Sequence, residues 1–168
     1  MKRRGWLVGA AAVAAVGTGA GLAWWQRRPP APPWGLSFDT PAGGALTMSS
    51  FDGGPLLLNF WATWCAPCVK EMPMLDAFHR QHAAAGWQVV GLAVDGPTPV
   101  REFLARRPMG FPIGLAGLDG VELSRALGNA NGALPFTVVF APGGRPLDRK
   151  LGALTEADLA RWVDLAKG

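Results

Sequence analysis

Apolar positions along this chain fall into two patterns, unbroken runs and helical stripes. Leu56 to Trp61, following Gly53-Gly54-Pro55, is an apolar run of the kind a strand buried on both faces requires. Trp87 to Val94 and Phe136 to Phe140 read as two more such strands. Between the first two, a helix is predicted from about Ala66 to Ala85, with Met72, Leu75, Phe78 and His82 on one stripe and Gly86 as its stop. Pro73 falls inside it and predicts a kink. Pro99 to Arg107, closed by Pro108, and Val121 to Leu127, before Gly128, read as two further helices. Leu36-Ser37-Phe38 and Ala45-Leu46-Thr47 flank a Pro41/Gly43/Gly44 turn and predict a short hairpin. Pro142-Gly143-Gly144 turns the chain into a strand over Pro146–Leu151, and Thr155 caps a last helix over Glu156–Ala166. Strand–helix–strand followed by a hairpin and a terminal helix specifies an α/β layered sheet.

The N-terminal segment is patterned differently. Gly5 to Trp25 carries no charge, with Lys2, Arg3 and Arg4 before it and Arg27 and Arg28 after it. A helix over those positions measures about 31 Å, the thickness of a hydrocarbon core. Trp6, Trp24 and Trp25 sit at its two ends, where indole rings favour the lipid–water boundary. Residues 1–28 are therefore expected to form a single membrane-spanning signal-anchor that leaves the rest outside the cytoplasm. Gly21 and Ala23 also have the spacing of a signal-peptidase site, and Arg3-Arg4 resembles the start of a twin-arginine signal. Pro29, Pro30, Pro32 and Pro33 make residues 29–35 a stiff spacer, and residues 36–168 one folded domain.

Charge changes the picture only once it is located. The 168 residues carry 16 Lys and Arg against 12 Asp and Glu, a formal +4. Five of the basic residues precede Pro29, so the remainder has 16 − 5 = 11 basic against 12 acidic residues, a net of −1. That balance offers no footprint for a nucleic-acid backbone. Nothing in the pattern calls for a coiled-coil dimer, and a monomer is expected.

The chemistry is concentrated in Trp64-Cys65-Ala66-Pro67-Cys68, which holds both cysteines of the chain. Two cysteines exclude a disulfide-stapled scaffold. Placed between a buried strand and a helix start, Cys65 meets unpaired N–H groups and the positive end of the dipole, which stabilise a thiolate. Pro67 fits the first helical turn, where its missing N–H is no loss. Cys68 lies one turn in and is expected to be more buried. An exposed attacking sulfur beside a shielded partner is the arrangement that dithiol–disulfide exchange needs. A structural disulfide over so short a loop stabilises little. A zinc site would need His79 and His82, which lie three to four helical turns away, and a c-type haem would need histidine where Val69 stands. No cofactor and no metal is expected.

Asn59-Phe60-Trp61-Ala62-Thr63-Trp64-Cys65-Ala66-Pro67-Cys68, continuing through Glu71-Met72-Pro73, resembles the thioredoxin-like proteins of the TlpA/ResA/CcmG type. The resemblance runs from about Leu36 to the C-terminus. It implies a thioredoxin fold, a central mixed β-sheet flanked by helices, here with an N-terminal β-hairpin extension. It also implies a membrane-anchored, extracytoplasmic thiol–disulfide oxidoreductase working on protein disulfides, with apocytochrome c or a copper-site protein among the possible clients and a transmembrane electron donor. Gly132-Ala133-Leu134-Pro135-Phe136-Thr137 resembles the family's cis-proline segment, which places Pro135 opposite the cysteines and the Leu134 backbone beside a docked substrate. Trp64, Ala66 and Pro67 would share that docking surface. Thioredoxin has a buried aspartate where this chain has Asn59, which leaves Glu71 as the carboxylate to accept the proton of Cys68. The direction of electron flow stays open: the same residues serve a reductase or a thiol oxidase. A copper chaperone using the cysteine pair as soft ligands is the weaker alternative.

Overall fold

The computed structural model describes residues 32–167, so the expected membrane segment 1–28 lies outside the described residues. Within them, seven strands form one mixed sheet: β1 (Ser37–Asp39), β2 (Ala45–Thr47), β3 (Leu56–Trp61), β4 (Gln88–Ala93), β5 (Ile113–Leu115), β6 (Phe136–Phe140) and β7 (Pro146–Leu151). Their order is β2-β1-β5-β4-β3-β6-β7. β4 runs parallel to β3 and β5, while β6 is antiparallel to both β3 and β7. Among the same residues lie four α-helices, α1 (Ala66–His82), α2 (Pro97–Arg106), α3 (Asp119–Ala126) and α4 (Glu156–Leu165). This is the thioredoxin-type layering the motif implied, with the hairpin β1–β2 extending one edge.

Alternation along β3 sorts the core into two layers. Leu57 and Trp61 face a layer that holds Met72, Leu75 and Phe78 of α1, Val100 and Phe103 of α2, and Leu159 and Trp162 of α4. Leu56, Leu58 and Phe60 face the other, with Val90, Leu92, Phe136 and Val138 and the flank of α3. Burying each such side chain contributes about 1.5–3 kcal/mol. Asn59 shares the face of Leu57 and Trp61, because side chains two apart in a strand point the same way. A buried polar residue is thereby aimed at α1.

Element boundaries moved where tertiary contacts outweighed local pattern. α1 ends at His82, and a 3-10 turn over Ala83–Ala85 carries the chain to Gly86 at φ 84°, a left-handed conformation in which glycine is unstrained. α1 continues through Pro73 as one helix. α2 begins at Pro97 and α3 at Asp119, each two residues before the expected starts. Strand β5 was absent from the pattern altogether. Its Ile-Gly-Leu is too short to show a period, and its centre is a glycine. A Cβ at Gly114 would stand 2.9 Å from Leu92 and 3.0 Å from both Leu46 and Phe38, so the close packing of the hairpin against β4 requires the glycine.

Candidate redox site at the start of helix α1

β3 delivers the chain to the end of the sheet, and residues 62–64 carry it over to Cys65, the N-cap of α1. Asp95, just beyond β4, holds that connection: its Oδ2 accepts the Thr63 N–H at 3.0 Å and the Thr63 hydroxyl at 2.5 Å. Its Oδ1 accepts the Gly96 N–H at 2.7 Å. Sequence reading passed over Asp95, since an aspartate in a loop has no pattern of its own.

Cys65 and Cys68 are joined, with an S–S distance of 2.01 Å. The Cys65 Sγ accepts the Cys68 N–H at 3.3 Å, as a capping side chain does. Pro67 lies in the first turn, as its lack of an N–H allows. Cys65 keeps 5 % of its surface exposed and Cys68 none. The order of burial matches the sequence expectation, but Cys65 is more enclosed than the exposed position expected for it. In the disulfide state both sulfurs belong to the apolar layer under α1. Ala66 and Pro67 stand exposed in front of them, and Trp64 is 69 % exposed.

Pro135 reaches the same end of the sheet by register. β6 is antiparallel to β3 with Phe136 opposite Phe60, so the residues before Phe136 lie at the end where β3 hands over to Cys65. The Leu134–Pro135 peptide bond is cis. Leu134 is half-buried against the layer that contains both cysteines. Its loop is held by Asn129, almost fully buried, whose Nδ2 donates to the Ala133 carbonyl at 2.8 Å and to the Ser124 hydroxyl at 3.2 Å. Trp64, Pro97, Leu118, Val121 and Leu134, with Asp95, line an apolar groove of about 410 Å³. Leu118 is 85 % exposed, an unusual position for a large aliphatic side chain. Sequence reading did not single it out.

Glu71, one turn beyond Cys68, is buried at 4 % exposure beneath the helix. Its Oε1 accepts the Asn59 Nδ2–H at 2.9 Å and its Oε2 accepts the Leu154 N–H at 2.8 Å. The same Asn59 nitrogen donates to the Thr137 hydroxyl oxygen at 3.0 Å. Asn59 Oδ1 is buried with no partner among the described residues. Burial pushes the Glu71 carboxyl above its ordinary value, and the hydrogen bonds from Leu154 and Asn59 and the charge of Lys150 offset only part of that rise. Among the described residues no group of three or more His, Cys, Asp or Glu side chains could hold a metal. His79 packs edge-on to Phe111 and His82 lies against Phe78, as side chains of an ordinary helix do.

A mixed sheet with a Cys-x-x-Cys disulfide capping its first long helix defines a thiol–disulfide oxidoreductase of thioredoxin-like fold. A family model for redoxins matches residues 31–161, and the chain belongs to that family. It is 28% identical over 130 residues to the thiol–disulfide oxidoreductase ResA of Bacillus subtilis, covering 74% of this chain and 68% of that protein. ResA of Geobacillus kaustophilus is 30% identical over 121 residues, covering 71% of this chain and 67% of its own length. Among solved structures, a thiol:disulfide interchange protein of the thioredoxin family from Chlorobium tepidum superposes with a TM-score of 0.70 at 28% identity, over 84% of this chain and 98% of that one.

Proposed function

We propose that this oxidoreductase reduces disulfides of protein clients outside the cytoplasm, held at the membrane by residues 1–28. Cys65 and Cys68 are the exchanging pair, and the observation that carries the assignment is their place at the start of α1 with the carboxyl of Glu71 buried one turn further on. In the reduced protein the Cys65 thiolate attacks a client disulfide. A Cys65–client bond forms and the first client sulfur departs with the electron pair. Cys68 then gives its proton to Glu71 and attacks Cys65, restoring the internal disulfide and releasing the second client sulfur as a thiolate. Two electrons pass to the client, and a membrane-borne donor of electrons must return them. The resemblance to the TlpA/ResA/CcmG type favours apocytochrome c or a copper-site protein as client.

The client backbone docks along Leu134 beside Pro135, and its side chains enter the groove between Trp64 and Leu118. Both Asp95 oxygens are already engaged by Thr63 and Gly96, so the groove favours a large apolar residue near the client cysteine. Leu118→Asp is expected to lower kcat/KM for a protein disulfide such as insulin about tenfold, while the rate with a small aromatic disulfide stays within twofold. One buried large aliphatic contact of about 1.5–3 kcal/mol supports that ratio. An equal fall with both substrates would remove the groove from client binding.

The thiol-oxidase reading has its own support, since the Cys68 N–H held on Cys65 Sγ stabilises a thiolate and hence the reduced pair. Titrating the full chain against a glutathione redox buffer separates the two. The expected potential is at or below roughly −220 mV, and a value above roughly −150 mV would assign the protein to disulfide donation instead.

A further inference from the structure

A line of polar side chains crosses the sheet beneath α1 and continues past Glu71 to solvent. Asn59 of β3 lies opposite Thr137 of β6, and Thr137 lies opposite Lys150 of β7, so the three share one face of the sheet. Asn59 joins the first two links through one nitrogen, which donates to both Thr137 and Glu71. Lys150, at the outer end, forms a partly buried ion pair with Asp158 of α4. Asp158 Oδ2 also accepts the Thr155 N–H at 2.9 Å and the Thr155 hydroxyl at 2.6 Å. Thr155 follows Leu154, whose N–H is the second donor to Glu71. The cation is therefore anchored to the same turn that supplies the Glu71 amide contact.

We propose that Lys150 is a positioning residue for the proton transfer at Glu71: it is the counter-charge that supports the ionised carboxylate, and its bond to Asp158 holds the β7–α4 turn so that Leu154 faces Glu71. The inference rests on the assignment of Glu71 as the proton acceptor for Cys68. The groups that act on Glu71 are Asn59 from β3 and the Leu154 amide before α4, which both donate to it, and the charge of Lys150 from β7. Lys150 is the charged one among them. Its positive charge favours the anionic form of Glu71, the direction already noted for it. Asp158 is held to about 2: burial raises it, but hydrogen bonds from Lys150 and Thr155 and the Lys150 charge outweigh that. It therefore stays ionised and keeps Lys150 in place throughout the neutral range.

Substitution of Lys150 separates this role from mere folding support. Single-turnover reduction of insulin by the reduced full chain is followed as a function of pH for Lys150→Met, Lys150→Arg, Glu71→Gln and the Glu71→Gln/Lys150→Met pair. Removing the charge is expected to move the ascending limb of the wild-type profile to higher pH by about one unit, a tenfold slower reaction on that limb. Lys150→Arg is expected to restore the wild-type limb. In the Glu71→Gln background the Lys150 change is expected to have no further effect on the profile. An unmoved limb in Lys150→Met, with Glu71→Gln still altering the profile, overturns the Lys150 role alone. A shift that persists in the paired variant shows that Lys150 acts elsewhere and also overturns it. A Glu71→Gln profile identical to wild type overturns the Glu71 assignment itself. Should Lys150→Met fail to fold, Lys150→Gln carries the same comparison.

Discussion

Replacing Cys68 with serine is expected to stop the reaction at its midpoint. Cys65 keeps its place as N-cap of α1, so it can still attack a client disulfide, and the covalent intermediate forms. The resolving sulfur is gone, so the mixed disulfide persists. Turnover of insulin should fall by about a thousandfold or more, because the covalent route loses the group that completes it. The adduct is read on a non-reducing gel as a client-sized increase in mass that a thiol reductant removes. Cys68 is fully buried in the apolar layer under α1, and a serine hydroxyl there costs about 1–3 kcal/mol unless it finds a partner. Cys68→Ala avoids that penalty and should trap the same adduct. Adducts formed by Cys65→Ser and absent from both Cys68 variants would reverse the assigned roles.

Glu71→Gln carries the second large effect. The resolving thiol would have to lose its proton to water, and exchange should slow by about a hundredfold where Glu71 is ionised in the wild type. The pH–rate profile should lose the limb that Glu71 controls and follow the thiol alone. The fold should persist: glutamine keeps the shape of the acid, and Asn59 Oδ1, which has no partner among the described residues, can turn to accept the new amide N–H. Stability supplies a second readout with a definite sign. The folded-state pKa of Glu71 is raised above its ordinary 4.5, so its neutral form is the one the fold favours. That contribution is fully present below pH 4.5 and is lost as pH rises through the folded value. Chemical denaturation across that range should show the wild type losing stability relative to Glu71→Gln. An unchanged difference would mean that Glu71 ionises as freely in the fold as in the unfolded chain.

Proximity along the chain decided which of these features could be read beforehand. A Cys-x-x-Cys pair with proline between its cysteines, following an apolar run, specifies a helix start, an N-cap sulfur and a thiol pair one turn apart. Every one of those relations spans only a few residues. The three apolar runs and the turns at Gly86 and Pro142–Gly144 likewise determined most strands and helices, because periodicity and backbone preference act locally. The identities of Glu71 and Pro135 as candidates came from resemblance, and their surroundings did not.

Tertiary structure alone decided what surrounds the sulfurs. Glu71 meets Leu154 across 83 positions, and Asn59 meets Thr137 across 78. Lys150 joins that row through the register of β6 and β7. Strand β5 exists because Gly114 fits beneath Leu92, and Leu118 comes to face Trp64 only after α3 has been placed. Sequence determined where a thiolate could be stabilised, since the helix end that stabilises it is built from neighbouring residues. Which carboxyl is desolvated beside it, and which cation answers that carboxyl, depended on sheet order, because desolvation and Coulomb attraction follow distance in space rather than distance along the chain.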